Sequence, residues 1–377
     1  MCMLTHDSRL ADFPSLNEMT YLNTAAEGLP PVGVREALQT YFDHKSMGMS
    51  GREHLFEELQ RCRERAAGLL KMDTAEVSLC SCSSEAYNLL ASALALESED
   101  EVVITDLDFP SGVTPWLALP EKPVTRLWKS RAGVLHLQDL DLLLTEKTKL
   151  VQVSLVSFLT GYRIPWAPFR DHVRERAPHA VLSVDITQAF GRVELDCIDA
   201  DCLIASTYKW LLGIHGGCVV AVPKASADRL TTHAGGWWHI VNAFDEDRFS
   251  RAESVAGAGS FTVGMPGFSA VFALHASLKY LSEIGIGTLA RHAGPLVAQV
   301  YGGLEELGIP TMSPHQPDHP SGIVAFQHSR DTEIHNALLA EDIHVMRQAG
   351  RIRISVHGYN QPEDIDRLLK AIQRALG

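Results

Sequence analysis

Basic residues are in short supply. The 377-residue chain has 33 lysines and arginines against 46 acids, a formal charge of −13. A general nucleic-acid binder needs the opposite balance, so no nucleic-acid partner is expected. Long apolar runs are missing as well. None approaches the roughly 20 residues of a membrane-spanning helix, and no membrane partner is expected. Met1 to Asp12 lacks the apolar stretch of a secretory signal. The seven cysteines form no pair of CxxC motifs. That argues against a disulfide scaffold or a zinc site and points to reduced thiols in a cytoplasmic protein. Histidine numbers 17, yet no HExxH or HxH pattern occurs, so no metal site is expected. Internal repeats and low-complexity linkers are absent too.

What is present is ordinary globular material, 46% apolar and 21% charged, long enough for about two domains. The first 20 residues read as irregular. Helical patterns follow at Val34–Asp43 and Gly51–Lys71. Short apolar runs then alternate with helical stretches: Glu101–Thr105, Leu150–Ser154, Ala180–Asp185, Asp201–Ala205 and Cys218–Val222. This rhythm predicts an α/β layout with a mostly parallel sheet. From Gly235 to Gly264 the chain reads as loop. Helices at Pro266–Glu283 and Gly287–Leu307 come next, then strand Gly322–Gln327, helix Thr332–Glu341 and strand Arg351–Val356. A last helix carries Pro362, Glu363 and Asp364 in its first turn, with Asn360 as its expected cap.

Chemistry concentrates between Leu182 and Gly217. One strand ends in Asp185 with Gln188 just beyond. Another ends in Ser206-Thr207-Tyr208-Lys209-Trp210. Parallel strands deliver their carboxyl ends to one edge of a sheet, where ligands bind. An acid and a lysine together at that edge suit pyridoxal phosphate. The amine forms the Schiff base and the acid keeps the ring nitrogen protonated. The alternative is a surface lysine following a strand. At 80–88, CSCSSEAYN leads small hydroxyl residues into a helical pattern. That is either a phosphate cradle or plain N-capping by Ser83 or Ser84.

Seven segments, in order, resemble the class V aminotransferase family of fold-type I pyridoxal-phosphate enzymes. They are YLNTAAEGLPP at 21–31, CSCSSEAYN at 80–88, DFPSGVTPW at 108–116, VSFLTGYRIP at 156–165, DITQ at 185–188, STYKWLLG at 206–213 and RIRISVHGYNQPEDIDRL at 351–368. The resemblance implies a role for each matching residue. Lys209 makes the Schiff base and moves protons. Asp185 bonds the ring nitrogen, Gln188 bonds the phenolic oxygen, and Phe109 stacks on the ring. Ser83, Ser84 and Ser206 hold the phosphate, with Tyr208 able to join them. Arg353 grips the substrate carboxylate.

The chain also departs from the family pattern. Phe109 stands where desulfurases have histidine, Tyr208 replaces the SxHK histidine, and Phe158 replaces the VSN asparagine. Gly264-Met265 replaces the GT pair that reaches the partner's phosphate in family dimers. No cysteine occurs after residue 218. From that absence, a persulfide-forming cysteine desulfurase is not expected. The implied fold is fold-type I: a large domain at 21–245 with a mainly parallel seven-stranded sheet, and a smaller α+β domain from 1–20 and 246–377. The implied protein is a homodimer acting on an amino acid. Transamination ranks first, then elimination by a lyase, then epimerisation, with a non-catalytic binding protein last. Trp237, Trp238 and His239 form a loop that either lines the pocket or packs.

Overall fold

The computed structural model describes residues 6–119 and 122–377. Its strands in chain order are β1 (Thr20–Tyr21), β2 (Val77–Cys80), β3 (Glu101–Thr105), β4 (Val124–Trp128), β5 (Thr148–Ser154) and β6 (Val181–Asp185). They continue with β7 (Cys202–Ser206), β8 (Cys218–Ala221), β9 (Ile323–Gln327), β10 (Ile343–His344), β11 (Met346–Gln348) and β12 (Arg351–Ser355).

Seven strands form one sheet in the order β2-β8-β7-β6-β5-β3-β4. Only β8 runs against its neighbours. The pairs from β7 out to β4 are all parallel. Every residue of β3, β6, β7 and β8 is buried, as expected of strands covered on both faces. This is the α/β architecture that the alternating pattern predicts. The edge strands β2 and β4 escape the sequence reading. VSLC and VTRLW are short and mix polar with apolar residues, so neither shows a clean apolar run.

The remaining strands build a second layer. β9, β12 and β11 form an antiparallel sheet. Ile352 and Ile354 of β12 pack with Val324 and Phe326 of β9, and with Leu296, Val300, Ile365, Leu368 and Ile372 from helices Ile286–Glu306 and Pro362–Leu376. The last helix begins one residue later than its expected cap. Gln361 occupies the N-cap, and its N–H donates to Asp364 Oδ2 at 2.9 Å. Asn360 instead accepts from His357 N–H at 2.8 Å and donates to Tyr21 O at 2.9 Å.

The opening residues are not wholly irregular. A helix runs from His6 to Asp12 and a 3₁₀ turn from Pro14 to Asn17. Seven residues are too few to hold a helix alone. Tertiary contact supplies the rest: Arg9 is buried and donates to Tyr359 O at 2.7 Å, and Phe13 packs edge-on against Tyr280. Helix Phe268–Ile284 packs against helices Val32–Ser46 and Arg52–Leu70 and joins the large core through Val271, Leu274 and Leu278. None of the described helices is long and apolar enough to cross a membrane, and no group of metal-ligating side chains occurs among the described residues.

Candidate active site

Four parallel strands end around one hollow. β5 ends at Ser154, β6 at Asp185 and β7 at Ser206, and the turn after β3 brings Phe109. The hollow is lined by Ser83, Phe109, Ser154, Phe158, Asp185, Thr187, Gln188, Ser206, Tyr208 and Lys209. The carboxyl edge of the sheet is thus where the sequence places it. Seven of the nine expected site residues lie in this lining, all but Ser84 and Arg353.

Lys209 is buried at 7% exposure and has no ion-pair partner among the described residues. Its Nζ sits 5.1 Å from the centre of the Phe109 ring and 5.5 Å from that of Tyr208. Burial lowers its pKa to about 8; the Asp185 charge opposes that shift and Arg353 adds to it. Asp185 shows the mirror effect. Burial pushes its carboxyl up, while bonds from Thr187 and the charge of Lys209 pull it down. The Thr187 N–H donates to Asp185 Oδ1 at 2.8 Å and so orients the carboxylate.

Gln188 is anchored at both ends of its amide. Trp210 donates to its Oε1 at 2.6 Å, and its Nε2 donates to Ala25 O at 3.2 Å. An amide nitrogen has two hydrogens, so one remains for a ligand. Phe109 caps the start of helix Pro110–Ala118, is 38% exposed, and meets Phe158 edge-on at 5.0 Å. Ser83 opens helix Ser83–Leu94, whose first N–H groups have no partner inside the helix. The Ser206 N–H donates to Thr187 Oγ1 at 3.1 Å.

Two expectations shift. Ser84 is exposed and outside the lining, because the next helical position turns its side chain away; its N–H remains at the helix start. Arg353 stands behind Phe158 and donates through Nη1 to Phe158 O at 2.8 Å. Its Nε and Nη2 have no hydrogen-bond partner among the described residues although it is only 2% exposed. Trp237, Trp238 and His239 do not line the hollow. Trp238 packs edge-on with Phe56 and Trp237, and His239 is buried against Ala234 O at 3.1 Å. Met265 is 44% exposed beside Gly264 in a separate hollow with Ser81 and Glu85.

Other residues are missed by sequence reasoning. Thr187 and Ser154 line the hollow but carry no motif of their own beyond their place near Asp185. Gly28 was quoted only within a segment. Its N–H donates to Tyr208 O at 2.8 Å, and a Cβ there would fall 1.9 Å from Lys209 O. Gly28→Ala is therefore expected to displace the Lys209 turn, lowering both the thermal midpoint and the capacity for cofactor, measured by melting and by visible absorbance.

The donor set fits pyridoxal phosphate. A buried amine and a buried acid without an ion-pair partner face one hollow, an aromatic ring borders it, and a helix start with a serine lies at its edge.

Comparison with known proteins agrees on family. The family described as Aminotransferase class-V matches residues 20–368. An uncharacterized aminotransferase, YcbU of Bacillus subtilis, is 27% identical and covers 94% of this chain and 93% of its own length. A probable cysteine desulfurase of Pyrococcus abyssi is 25% identical over 96% of this chain and 95% of its own. A solved C-DES mutant with glycine covalently linked to the PLP cofactor has the same fold, with a TM-score of 0.88, 19% identity, and coverage of 96% of this chain and 98% of its own.

These relatives overturn the exclusion of a persulfide-forming cysteine desulfurase. Proteins similar over nearly the full length carry that name. The exclusion rested on the lack of any cysteine after residue 218, Ile343–Gly350 included. That absence does not bear on the earlier thiols, of which Cys82 is exposed next to Ser83, though outside the lining of the hollow. The fold, the hollow and the match over residues 20–368 together make this chain a member of the class V aminotransferase family.

Proposed function

We propose that the chain is a pyridoxal-phosphate enzyme acting on amino acids, with transamination as its first reaction. The observation that carries the reading is Lys209, an amine with pKa lowered to about 8, buried beside Asp185 at the carboxyl ends of β6 and β7. Lys209 would link the cofactor, Asp185 would keep its ring nitrogen protonated, and Gln188 has an amide hydrogen left that would serve the phenolic oxygen. Phe109 would pack on the ring. Ser83, Ser206, the Tyr208 hydroxyl and the first helical N–H groups, that of Ser84 included, would hold the phosphate. When bound, the cofactor supplies an electron sink for the pair left at the substrate's α-carbon.

The chain's own residues do the rest. Arg353 orients the substrate through its carboxylate. Lys209, with its pKa near working pH, takes a proton from the α-carbon and returns one. Phe109 and Phe158 keep water from that amine. The full-length relatives named cysteine desulfurase favour a second reading, lysis of a bond at the β-carbon. A panel of amino acids scored together for keto acid, ammonia and sulfide separates the two. Keto acid alone supports transamination, and ammonia or sulfide supports lysis.

We also propose residues 21–245 as the large domain and 1–20 with 246–377 as the small one, with helix Phe268–Ile284 at the seam. A cytoplasmic homodimer is the proposed assembly. Val241, Phe244, Phe249 and Met265 are exposed apolar side chains that such an assembly would have available to cover.

Arg353→Lys tests the substrate contact. The bidentate fork would be lost, a charge-assisted interaction worth about 2–3 kcal/mol. Apparent amino-acid affinity is expected to fall roughly 30- to 100-fold on that scale. The absorbance of the resting enzyme and the handling of simple amines stay unchanged. Parental affinity in titrations of the variant would remove Arg353 from the site.

A further inference from the structure

β12 alternates sharply. Ile352 and Ile354 enter the C-terminal core, so Arg351 and Arg353 share the opposite face. Two residues apart on a strand, their Cα atoms are roughly 7 Å apart. Both are only 2% exposed. The neighbours that share their face across the sheet are Ile323, Ala325 and Gln327 on β9, and Met346 and Gln348 on β11. None is acidic, and neither arginine has an ion-pair partner among the described residues. A buried guanidinium left this way is costly unless a ligand neutralises it.

Arg351 repeats the arrangement of Arg353. Its Nη1 donates to Gln348 O at 3.3 Å, and its Nε and Nη2 have no hydrogen-bond partner among the described residues. Its guanidinium lies 5.6 Å from the centre of the Phe158 ring, whose carbonyl holds Arg353 and whose side chain lines the Lys209 hollow. The hairpin between β11 and β12 fixes this placement. Its two turn residues, Ala349 and Gly350, have φ of 52° and 71°, the tight turn that sets register without slack. Phe158 thus has one arginine on its carbonyl and another against its ring.

We propose that Arg351 is a specificity-determining residue that binds a second acidic group, so that the preferred substrates are amino acids whose side chain ends in a carboxylate. Arg353 takes the carboxylate at the α-carbon and Arg351 the one at the side-chain end. The planar fork of each guanidinium matches a carboxylate in two bonds. An amino acid with a neutral side chain leaves Arg351 buried and unpaired and binds less well. The inference rests on the reading of this hollow as an amino-acid site.

The test uses the purified full-length protein, with and without pyridoxal phosphate, as parent, Arg351→Gln and Arg351→Lys. In the loaded protein, titration with glutamate, glutamine and alanine is followed by the change in visible absorbance. In the unloaded protein, glutarate binding is followed by calorimetry and by the rise in thermal midpoint. The parent is expected to bind glutamate roughly 10- to 100-fold more tightly than glutamine. Arg351→Gln abolishes that preference, leaves alanine within about twofold, and removes glutarate binding. Arg351→Lys keeps the charge and restores part of the preference. A parent that binds glutamate and glutamine equally, or an Arg351→Gln protein that keeps glutarate binding, overturns the proposal. Glutarate binding lost in Arg351→Gln and only weakened in Arg351→Lys, with melting unchanged in both, supports the arginine pair even where the protein takes up no cofactor, and that failure of uptake would instead overturn the enzyme reading.

Discussion

Lys209→Ala is expected to yield a folded protein with no lysine-linked, borohydride-reducible cofactor band and no turnover. The amine makes no hydrogen bond that its removal would strand, and burial already disfavours its charged form, with pKa lowered to about 8. Truncation therefore removes the cofactor link and the proton carrier while melting stays near that of the parent. Activity falls to background, because no other lysine lines the hollow. The check pairs absorbance after incubation with pyridoxal phosphate with a turnover assay on the same preparation. Retained turnover in a cleanly purified variant would sink the assignment.

Asp185→Asn carries the second large effect. An opposite charge within a few ångströms shifts a pKa by about 1–3 units. Without the carboxylate, the ring nitrogen of a bound cofactor is protonated roughly 10- to 1,000-fold less often on that scale. The amide keeps an oxygen to accept the bond from the Thr187 N–H, which Asp185 Oδ1 accepts at 2.8 Å, so the pocket holds its shape. The expected variant binds cofactor and loses about two orders of magnitude in rate on that scale. Equal rates for variant and parent would mean that another residue holds that nitrogen.

The site was legible where chemistry coincides with a strand end. Asp185 and Lys209 close or follow short apolar runs that alternate with helical stretches, and both line the hollow. Helix Ser83–Leu94 was legible from its hydroxyl residues, but sequence could not separate Ser83, which faces in, from Ser84, which faces out. That difference is a rotation of about 100° per residue along a helix. Arg353 was legible by family pattern alone. Arg351 was not, since its partnerless burial emerges only when β12 is paired with β9 and β11. Edge strands β2 and β4 were hidden because VSLC and VTRLW mix polar with apolar residues: β2 buries a serine among its apolar side chains, and β4 leaves most of its length outside the core. The missing cysteine misled because its absence after residue 218 says nothing of what the earlier part of the chain delivers.

Lys209 in this hollow is proposed as the residue that links the cofactor. The most direct measurement is borohydride reduction of the protein after incubation with pyridoxal phosphate, followed by digestion and peptide mass analysis. The account requires the phosphopyridoxyl mass on the peptide carrying Lys209, with Lys209→Ala unlabelled. The same label on any other lysine, or label persisting in Lys209→Ala, would contradict it.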